Sequence, residues 1–81
     1  MDRNEIFNTI VAIINKSLPS PVSVSLEDDL REDIGLDSIG FVELGTGLEE
    51  IYQIDIDDAD LEGFKTVEEV VNAVINSPTY A

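Results

Sequence analysis

Cysteine and histidine are both absent from this sequence of 81 residues. Without cysteine, the chain has no disulfide, no thiolate ligand for structural zinc and no thiol nucleophile. Without histidine, it has neither a Ser-His-Asp triad nor the side chain that most often binds transition metals. These absences leave few means of acid–base or nucleophilic catalysis. We therefore expect no catalytic residue, no metal site and no enzymatic activity of the chain's own.

Basic residues are scarce, since four lysines and arginines stand against 18 aspartates and glutamates and give a formal net charge of −14. A protein this acidic repels the phosphate backbone of nucleic acids and the surface of an anionic bilayer. We therefore expect neither a nucleic acid nor a membrane as partner, and predict that protein partners present basic surfaces. Mutual repulsion at this charge also predicts a monomer.

No apolar run in the sequence approaches the ~20 residues that a transmembrane helix needs. The first five residues, Met-Asp-Arg-Asn-Glu, are too polar for the apolar stretch of a secretory signal peptide. Hydrophobic residues nevertheless make up 43% of the chain, a fraction that argues against disorder. The sequence therefore predicts one small domain, residues 1–81, located in the cytoplasm.

Apolar residues spaced three or four apart predict a first helix, which begins at a capping box formed by Asp2 and Glu5. Prolines at the start of residues 19–36 end this helix and open a long connection. The apolar residues of the connection are four apart, which predicts that they attach it to the core through one helical turn beginning near Ser25. They are Leu26, Leu30 and Ile34.

The last helix has a second capping box, Thr66 followed by Glu69. Its predicted buried stripe consists of Val67, Val70, Val71, Val74 and Ile75, and Ser77-Pro78 ends it. Residues 57–62 allow a short helix of one or two turns. With the second helix, described next, this pattern predicts an all-α fold. It is a small four-helix bundle of three main helices and one short helix, with a long loop between helices one and two.

The second helix is predicted to run from Ser38 to Tyr52, with Asp37 as its N-cap. At 100° per residue, one face gathers an apolar stripe that we predict to be buried. This stripe consists of Phe41, Leu44, Leu48, Ile51 and Tyr52. The face that carries Ser38 also carries Ile39, Val42, Glu43, Glu49 and Glu50. Residues 27–60 contain 13 of the 18 acidic residues and only Arg31 to offset them, which predicts a negative docking surface for basic partners.

Ser38 lies in the segment Gly35-Leu36-Asp37-Ser38-Ile39, which the Leu48-Glu49-Glu50 run follows within the same helix. A serine at a helix start is in the first instance a capping residue. This segment, however, resembles the phosphopantetheine attachment motif of the acyl carrier proteins, in which Asp-Ser-Leu opens an acidic helix that ends in Leu-Glu-Glu. Residues 29–36, 54–56 and 66–67 also resemble the corresponding parts of that family. The resemblance therefore covers nearly the whole chain.

The resemblance implies a covalent cofactor. A phosphopantetheinyl transferase would join 4'-phosphopantetheine from coenzyme A to the Ser38 oxygen as a phosphodiester. The thiol of that arm would carry acyl intermediates as thioesters in fatty-acid, lipid or polyketide biosynthesis. Asp37 would help to position a metal ion or a basic side chain of the transferase, or would only cap the helix. An imported thiol agrees with the absence of cysteine.

The resemblance also implies a recognition surface and a cavity for the acyl group. Acyl-transferring and chain-elongating enzymes with basic docking patches would bind the face made of Ile39, Val42, Glu43, Glu49 and Glu50. Candidate cavity residues are Phe41, Leu44, Leu48, Phe64, Val67 and Val71, although core packing accounts for the same set. Gly40, Gly45 and Gly47 depart from the family pattern. From these glycines we expect a specialised carrier, for instance one that serves a dedicated lipid or polyketide pathway.

Two other functions remain open from the sequence. A small acidic adaptor that binds a basic protein without a prosthetic group would have the same fold and negative surface, but would not need Ser38. A calcium-binding loop is suggested by the carboxylates of residues 55–60. Ala59 and Asp60 stand, however, where an EF-hand needs a ligand and a glycine, and Thr66 stands where it needs a glutamate.

Overall fold

The structure is a computed structural model, and it describes residues 3–77. Four α-helices follow one another in this part of the chain: α1 (Arg3–Lys16), α2 (Ser38–Tyr52), α3 (Asp58–Gly63) and α4 (Val67–Ile75). It contains no strand, only one isolated antiparallel bridge between Asp29 and Thr66. The predicted all-α bundle of three main helices and one short helix is confirmed, and α2 has the predicted bounds. None of these helices is both long and apolar enough to cross a membrane.

The start of α4 follows the predicted capping box with one difference. Thr66 is the N-cap, and its hydroxyl accepts a hydrogen bond from the Glu69 N–H at 3.3 Å. The Glu69 carboxylate accepts from the Lys65 N–H at 2.7 Å, one residue before the position that the capping box predicts. The predicted cap of α1 at Asp2 and the predicted stop at Pro78 lie outside the described residues.

One hydrophobic core joins the three long helices, and α1 packs against both α2 and α4. Its fully buried members on these helices are Ile6, Ile10, Ile14, Leu44, Leu48, Val67, Val70, Val71 and Val74. Phe41 and Tyr52 complete the buried stripe of α2, whereas Ile75 of α4 is only partly buried. The three main helices thus bury the faces that their apolar spacing predicts.

The prediction that Ile51 is buried is wrong, because 54% of this residue is exposed. Ile51 borders a groove together with Lys16 and Ser17. At 100° per residue Ile51 lies at the edge of the predicted stripe, beside the face that carries Gly47 and the exposed Glu50. The hydrophobic period of α2 alone does not reveal how far the buried sector extends.

The long loop, residues 17–37, is attached to the core by Leu30 and Ile34 and, less deeply, by Leu26, as predicted. The predicted helical turn near Ser25 is wrong. Ser25 instead begins a tight turn, in which its carbonyl accepts from the Asp28 N–H at 3.2 Å.

Contacts with the start of α4 explain this difference. The Leu30 N–H donates to the Lys65 carbonyl at 2.8 Å, and the Glu68 N–H donates to the Leu26 carbonyl at 3.0 Å. Because these backbone groups find partners across the molecule, the stretch between them does not form a local helix. A helical turn follows only at Asp29, whose carbonyl accepts from the Asp33 N–H at 3.0 Å.

Candidate functional site

Ser38 is the first residue of α2 and is exposed. Asp37 precedes it in extended conformation, and the Asp37 Oδ1 accepts a hydrogen bond from the Gly40 N–H at 2.8 Å. The predicted N-cap is therefore confirmed. Because Asp37 supplies the cap, the Ser38 hydroxyl is not needed for it, and no hydrogen bond within residues 3–77 uses that hydroxyl.

Leu36 anchors the end of the loop that leads to Ser38. It is 5% exposed, and its N–H donates to the Leu30 carbonyl at 2.9 Å. Its side chain lies against the first turn of α2, where a Cβ on Gly40 would come within 2.8 Å of the Leu36 Cδ2. The glycine at position 40, which departs from the family pattern, thus has a packing reason. A larger residue would require the Leu36 side chain to move.

A cleft of about 620 Å³ opens beside Ser38, between α2 and α3. We call it the Ser38 cleft, and its lining residues are Arg31, Leu36, Asp37, Ser38, Phe41, Val42, Asp58, Leu61 and Glu62. Leu36, Phe41 and Leu61 are 4–6% exposed and also belong to the hydrophobic core. They form an apolar floor that separates the cleft from the centre of the bundle. Charged side chains from the loop and from α3 surround this floor.

Arg31 closes one side of the Ser38 cleft. Its guanidinium carbon lies 4.4 Å from the centroid of the Phe41 ring, within the range of a cation–π contact. Its two terminal nitrogens donate to the Glu62 carbonyl at 2.8 Å and to the Phe64 carbonyl at 3.3 Å. A positive charge at the C-terminal end of α3 also complements the dipole of that helix. Arg31 therefore joins the loop, α2 and α3.

Asp29 holds the turn that presents Arg31. The Asp29 Oδ1 accepts from the Arg31 N–H at 2.8 Å and from the Glu32 N–H at 2.9 Å. These bonds, that from Glu32 first, stabilise the charged carboxylate and hold the pKa of Asp29 below its usual value. The sequence showed Arg31 as the only basic residue among thirteen acidic ones, but nothing in its local pattern indicated these partners.

The residues predicted to bind partners lie along the exposed side of α2, with one exception. Ile39 is 67% exposed and Val42 is 60% exposed, and both Glu43 and Glu50 are exposed. Glu49 is only partly buried, and its Oε2 accepts from the Ile56 N–H at 3.0 Å. Glu49 therefore ties α2 to the connection before α3.

The candidate cavity residues do not all line the Ser38 cleft. Phe41 alone among them lines the cleft. Phe64 borders a separate groove between α3 and α4, together with Ala73. The others are fully buried in the core: Leu44, Leu48, Val67 and Val71. Across the described part of the chain, acidic side chains do not converge in any group of three or more that could hold a metal ion.

The family model described as the phosphopantetheine attachment site matches residues 8–74. An acyl carrier protein of Saccharopolyspora erythraea is 38% identical over 77 residues, covering 94% of this chain and 81% of the relative. An acyl carrier protein of Campylobacter jejuni is 35% identical over 71 residues, covering 86% of this chain and 92% of the relative.

The chain belongs to the acyl carrier protein family. A solved structure, described as a candidate acyl carrier protein from Mycobacterium tuberculosis, agrees with this assignment. It superposes with a TM-score of 0.79 at 30% identity, covering 86% of this chain and 95% of that one. Acyl carrier proteins act in acyl biosynthesis as carriers rather than catalysts, and they interact with acyl-handling enzymes.

The start of α2 fits the phosphopantetheine group that this family carries. The attachment chemistry requires an accessible hydroxyl, and Ser38 is exposed with its hydroxyl not engaged in any described hydrogen bond. A phosphate on a residue at a helix N-terminus lies at the positive end of the helix dipole. The Ser38 cleft begins at the same residue and provides an apolar floor beside it. When bound, the group supplies this carrier with a thiol, which its own sequence lacks.

Proposed function

We propose that the Ser38 Oγ is the atom to which a phosphopantetheinyl transferase attaches 4'-phosphopantetheine from coenzyme A. The observation that carries this proposal is that Ser38 opens α2 without serving as its cap. It is exposed and borders the cleft, while Asp37 bonds to the helix in its place. Ser38 also lies within the residues that the attachment-site family model matches.

Asp37 assists loading as well as capping α2. Its Oδ1 is bonded to the Gly40 N–H, whereas no described hydrogen bond uses its Oδ2. The residue is exposed beside Ser38, so this second oxygen is available to an incoming transferase. A carboxylate oxygen suits either a metal ion or a basic side chain of that enzyme.

The partner surface is the exposed side of α2, made of Ile39, Val42, Glu43, Glu49 and Glu50. Acyl-transferring and chain-elongating enzymes with basic docking patches bind it. Opposite charge raises the association rate, and two exposed aliphatic side chains add a small apolar contact. Glu49 takes part through its Oε1, since its Oε2 is bonded to the Ile56 N–H. A surface of this kind gives a short-lived, salt-sensitive complex.

The chain acts as a monomeric cytoplasmic carrier with residues 1–81 as one domain and no enzymatic activity of its own. Its net charge of −14 opposes self-association. The absence of cysteine and histidine supports a role as substrate and shuttle. Its pathway belongs to fatty-acid, lipid or polyketide biosynthesis.

The mass of the intact protein tests the attachment site. Incubation with coenzyme A and a broad-specificity phosphopantetheinyl transferase should add one phosphopantetheine. Ser38→Ala should abolish the gain, whereas Ser23→Ala should retain it, because Ser23 is an exposed serine in the loop. A gain that persists in Ser38→Ala would disprove the assignment of Ser38.

Failure of several transferases to modify the folded protein would favour the acidic adaptor, in which Ser38 is dispensable. In that case Ser38→Ala should bind a basic partner as tightly as the wild type. Calorimetry that showed tight, stoichiometric calcium binding would favour the calcium-binding loop instead.

A further inference from the structure

The contact between α2 and α3 depends on one missing side chain. A Cβ on Gly45 would lie 2.9 Å from the Leu61 Cδ2 and 3.4 Å from the Leu61 Cδ1, so the leucine fits against bare backbone. Gly45 is buried, and Leu61 is 6% exposed. Leu61 also lines the Ser38 cleft and belongs to the hydrophobic core. It therefore lies between the cleft on one side and the interior of the bundle on the other.

The other two floor residues are held by contacts of their own. Phe41 lies under the guanidinium of Arg31. Leu36 is bonded through its N–H to the Leu30 carbonyl and lies against Gly40. Leu61, in contrast, is the only buried residue of α3, a helix of six residues. The position of α3 therefore depends chiefly on Leu61 and on the two hydrogen bonds from Arg31.

We propose that Leu61, packed against Gly45, closes the route from the Ser38 cleft into the core and restricts this carrier to short acyl groups. This inference rests on the proposed attachment at Ser38. A long acyl chain would enter the bundle only if Leu61 left its place on Gly45. That movement exposes a buried leucine, removes the contact of α3 with the core and breaks the two hydrogen bonds from Arg31, and these losses oppose the gain from burying the added methylene groups. A short acyl group stays in the cleft against Phe41 and Leu61, and the core remains closed.

The dependence of stability on chain length tests this closure. Wild type is loaded with butanoyl-, octanoyl- and dodecanoyl-phosphopantetheine from the matching acyl-coenzyme A, and each product is checked by intact mass. Thermal unfolding by circular dichroism then gives a midpoint for each product relative to the form with a free thiol. The midpoints of the wild-type forms should agree within about 2 °C, because the added carbons find no buried site.

Leu61→Ala removes three carbon atoms from the floor and should open the route. The dodecanoyl form of this variant should unfold at least about 5 °C above its free-thiol form, since part of the chain becomes buried. Leu18→Ala is the matched control, because it removes the same atoms from a partly buried leucine outside the Ser38 cleft. Its loaded forms should behave like those of the wild type.

A second variant keeps the inference testable if Leu61→Ala folds poorly. The double variant Gly45→Ala/Leu61→Ala restores one carbon to the opened space and adds a residue that favours helix. Its dodecanoyl form should gain less stability than that of Leu61→Ala. Backbone amide resonances of Leu44 and Gly45 should shift with chain length in Leu61→Ala and stay unchanged in the wild type.

Two results would overturn the inference in different ways. If wild type gains stability with chain length as steeply as Leu61→Ala, Leu61 does not close the core, while attachment at Ser38 stands. If no acyl-phosphopantetheine is joined to Ser38, the proposed attachment is wrong and the inference that rests on it fails too.

Discussion

Single side chains link parts of this carrier that are far apart in the sequence, and Arg31 and Glu49 are the clearest cases. Arg31 joins the loop to Phe41 and to two carbonyls at the end of α3. Glu49 joins α2 to the Ile56 N–H in the connection before α3. From the sequence, both charged residues would be interpreted as ordinary surface side chains. Each also accepts from or donates to backbone groups near one end of α3, a short helix with a single buried residue.

Removal of Glu49 and removal of Glu50 should affect stability differently, although each removes one negative charge. Glu49→Ala should lower the free energy of unfolding by about 1 kcal/mol, because it leaves the part-buried Ile56 N–H without its partner. Glu50→Ala should change it by less than about 0.5 kcal/mol, because the side chain of Glu50 is exposed. Urea denaturation followed by circular dichroism measures both values. Equal losses would mean that the bond to Ile56 does not stabilise the fold.

At the scale of the element, α2 combines a well-defined start with unusual packing. Asp37 caps it, and Gly40, Gly45 and Gly47 each allow the close approach of a side chain from elsewhere, namely Leu36, Leu61 and Ile13. Each glycine costs helix propensity, about 1 kcal/mol relative to alanine. The helix therefore depends on contacts with side chains outside it. This packing accounts for the three glycines, which the resemblance alone presented as departures.

Asp37→Asn should separate the two roles assigned to Asp37. Asparagine caps helices about as well as aspartate, so the free energy of unfolding should change by less than about 0.5 kcal/mol. The rate of phosphopantetheine loading should nevertheless fall about tenfold or more, because the charge that would bind a metal ion or a basic group is lost. Asp37→Ala should reduce loading and also cost about 1 kcal/mol of stability. If Asp37→Asn is loaded at the wild-type rate, Asp37 is a cap and nothing more.

The charge of the whole molecule is largely uncompensated. Within residues 3–77 the structure contains one salt bridge, between Arg3 and Glu68 at 3.6 Å, against a net charge of −14 for the chain. The molecule measures 32 × 25 × 19 Å. Its largest dimension is close to the Debye length in 0.01 M salt, about 30 Å, and far exceeds that at physiological ionic strength, about 8 Å. At low salt each carboxylate is therefore repelled by carboxylates across the entire fold.

Screening should consequently stabilise the protein. Raising the ionic strength from about 0.01 M to about 0.15 M with sodium chloride should raise the midpoint of thermal unfolding by about 5 °C. Circular dichroism of the form without the prosthetic group provides the measurement. Sodium sulfate at equal ionic strength is the control for specific anion effects, since screening depends on ionic strength alone. An unchanged or lower midpoint would show that repulsion between the acidic residues does not limit stability.

Local features of the sequence were sufficient for the helices and for the position of Ser38. The spacing of apolar residues defined the bounds of α2 from Ser38 to Tyr52, and both Asp37 and Thr66 act as the predicted caps. Exposure of Ser38 followed from the helical period of 100° per residue. These properties depend on residues within about one or two turns of one another, so they can be derived before the fold is known.

Only the tertiary structure decided the contacts between residues distant in the chain. Ile51, at the edge of the apolar stripe of α2, is left exposed by the packing, and the turn at Ser25 is followed by a stretch that pairs with the start of α4. The floor of the Ser38 cleft depends on Leu61 meeting Gly45, sixteen positions earlier. Such contacts arise from how helices pack rather than from how they form. The periodicity of an individual segment therefore does not predict these contacts.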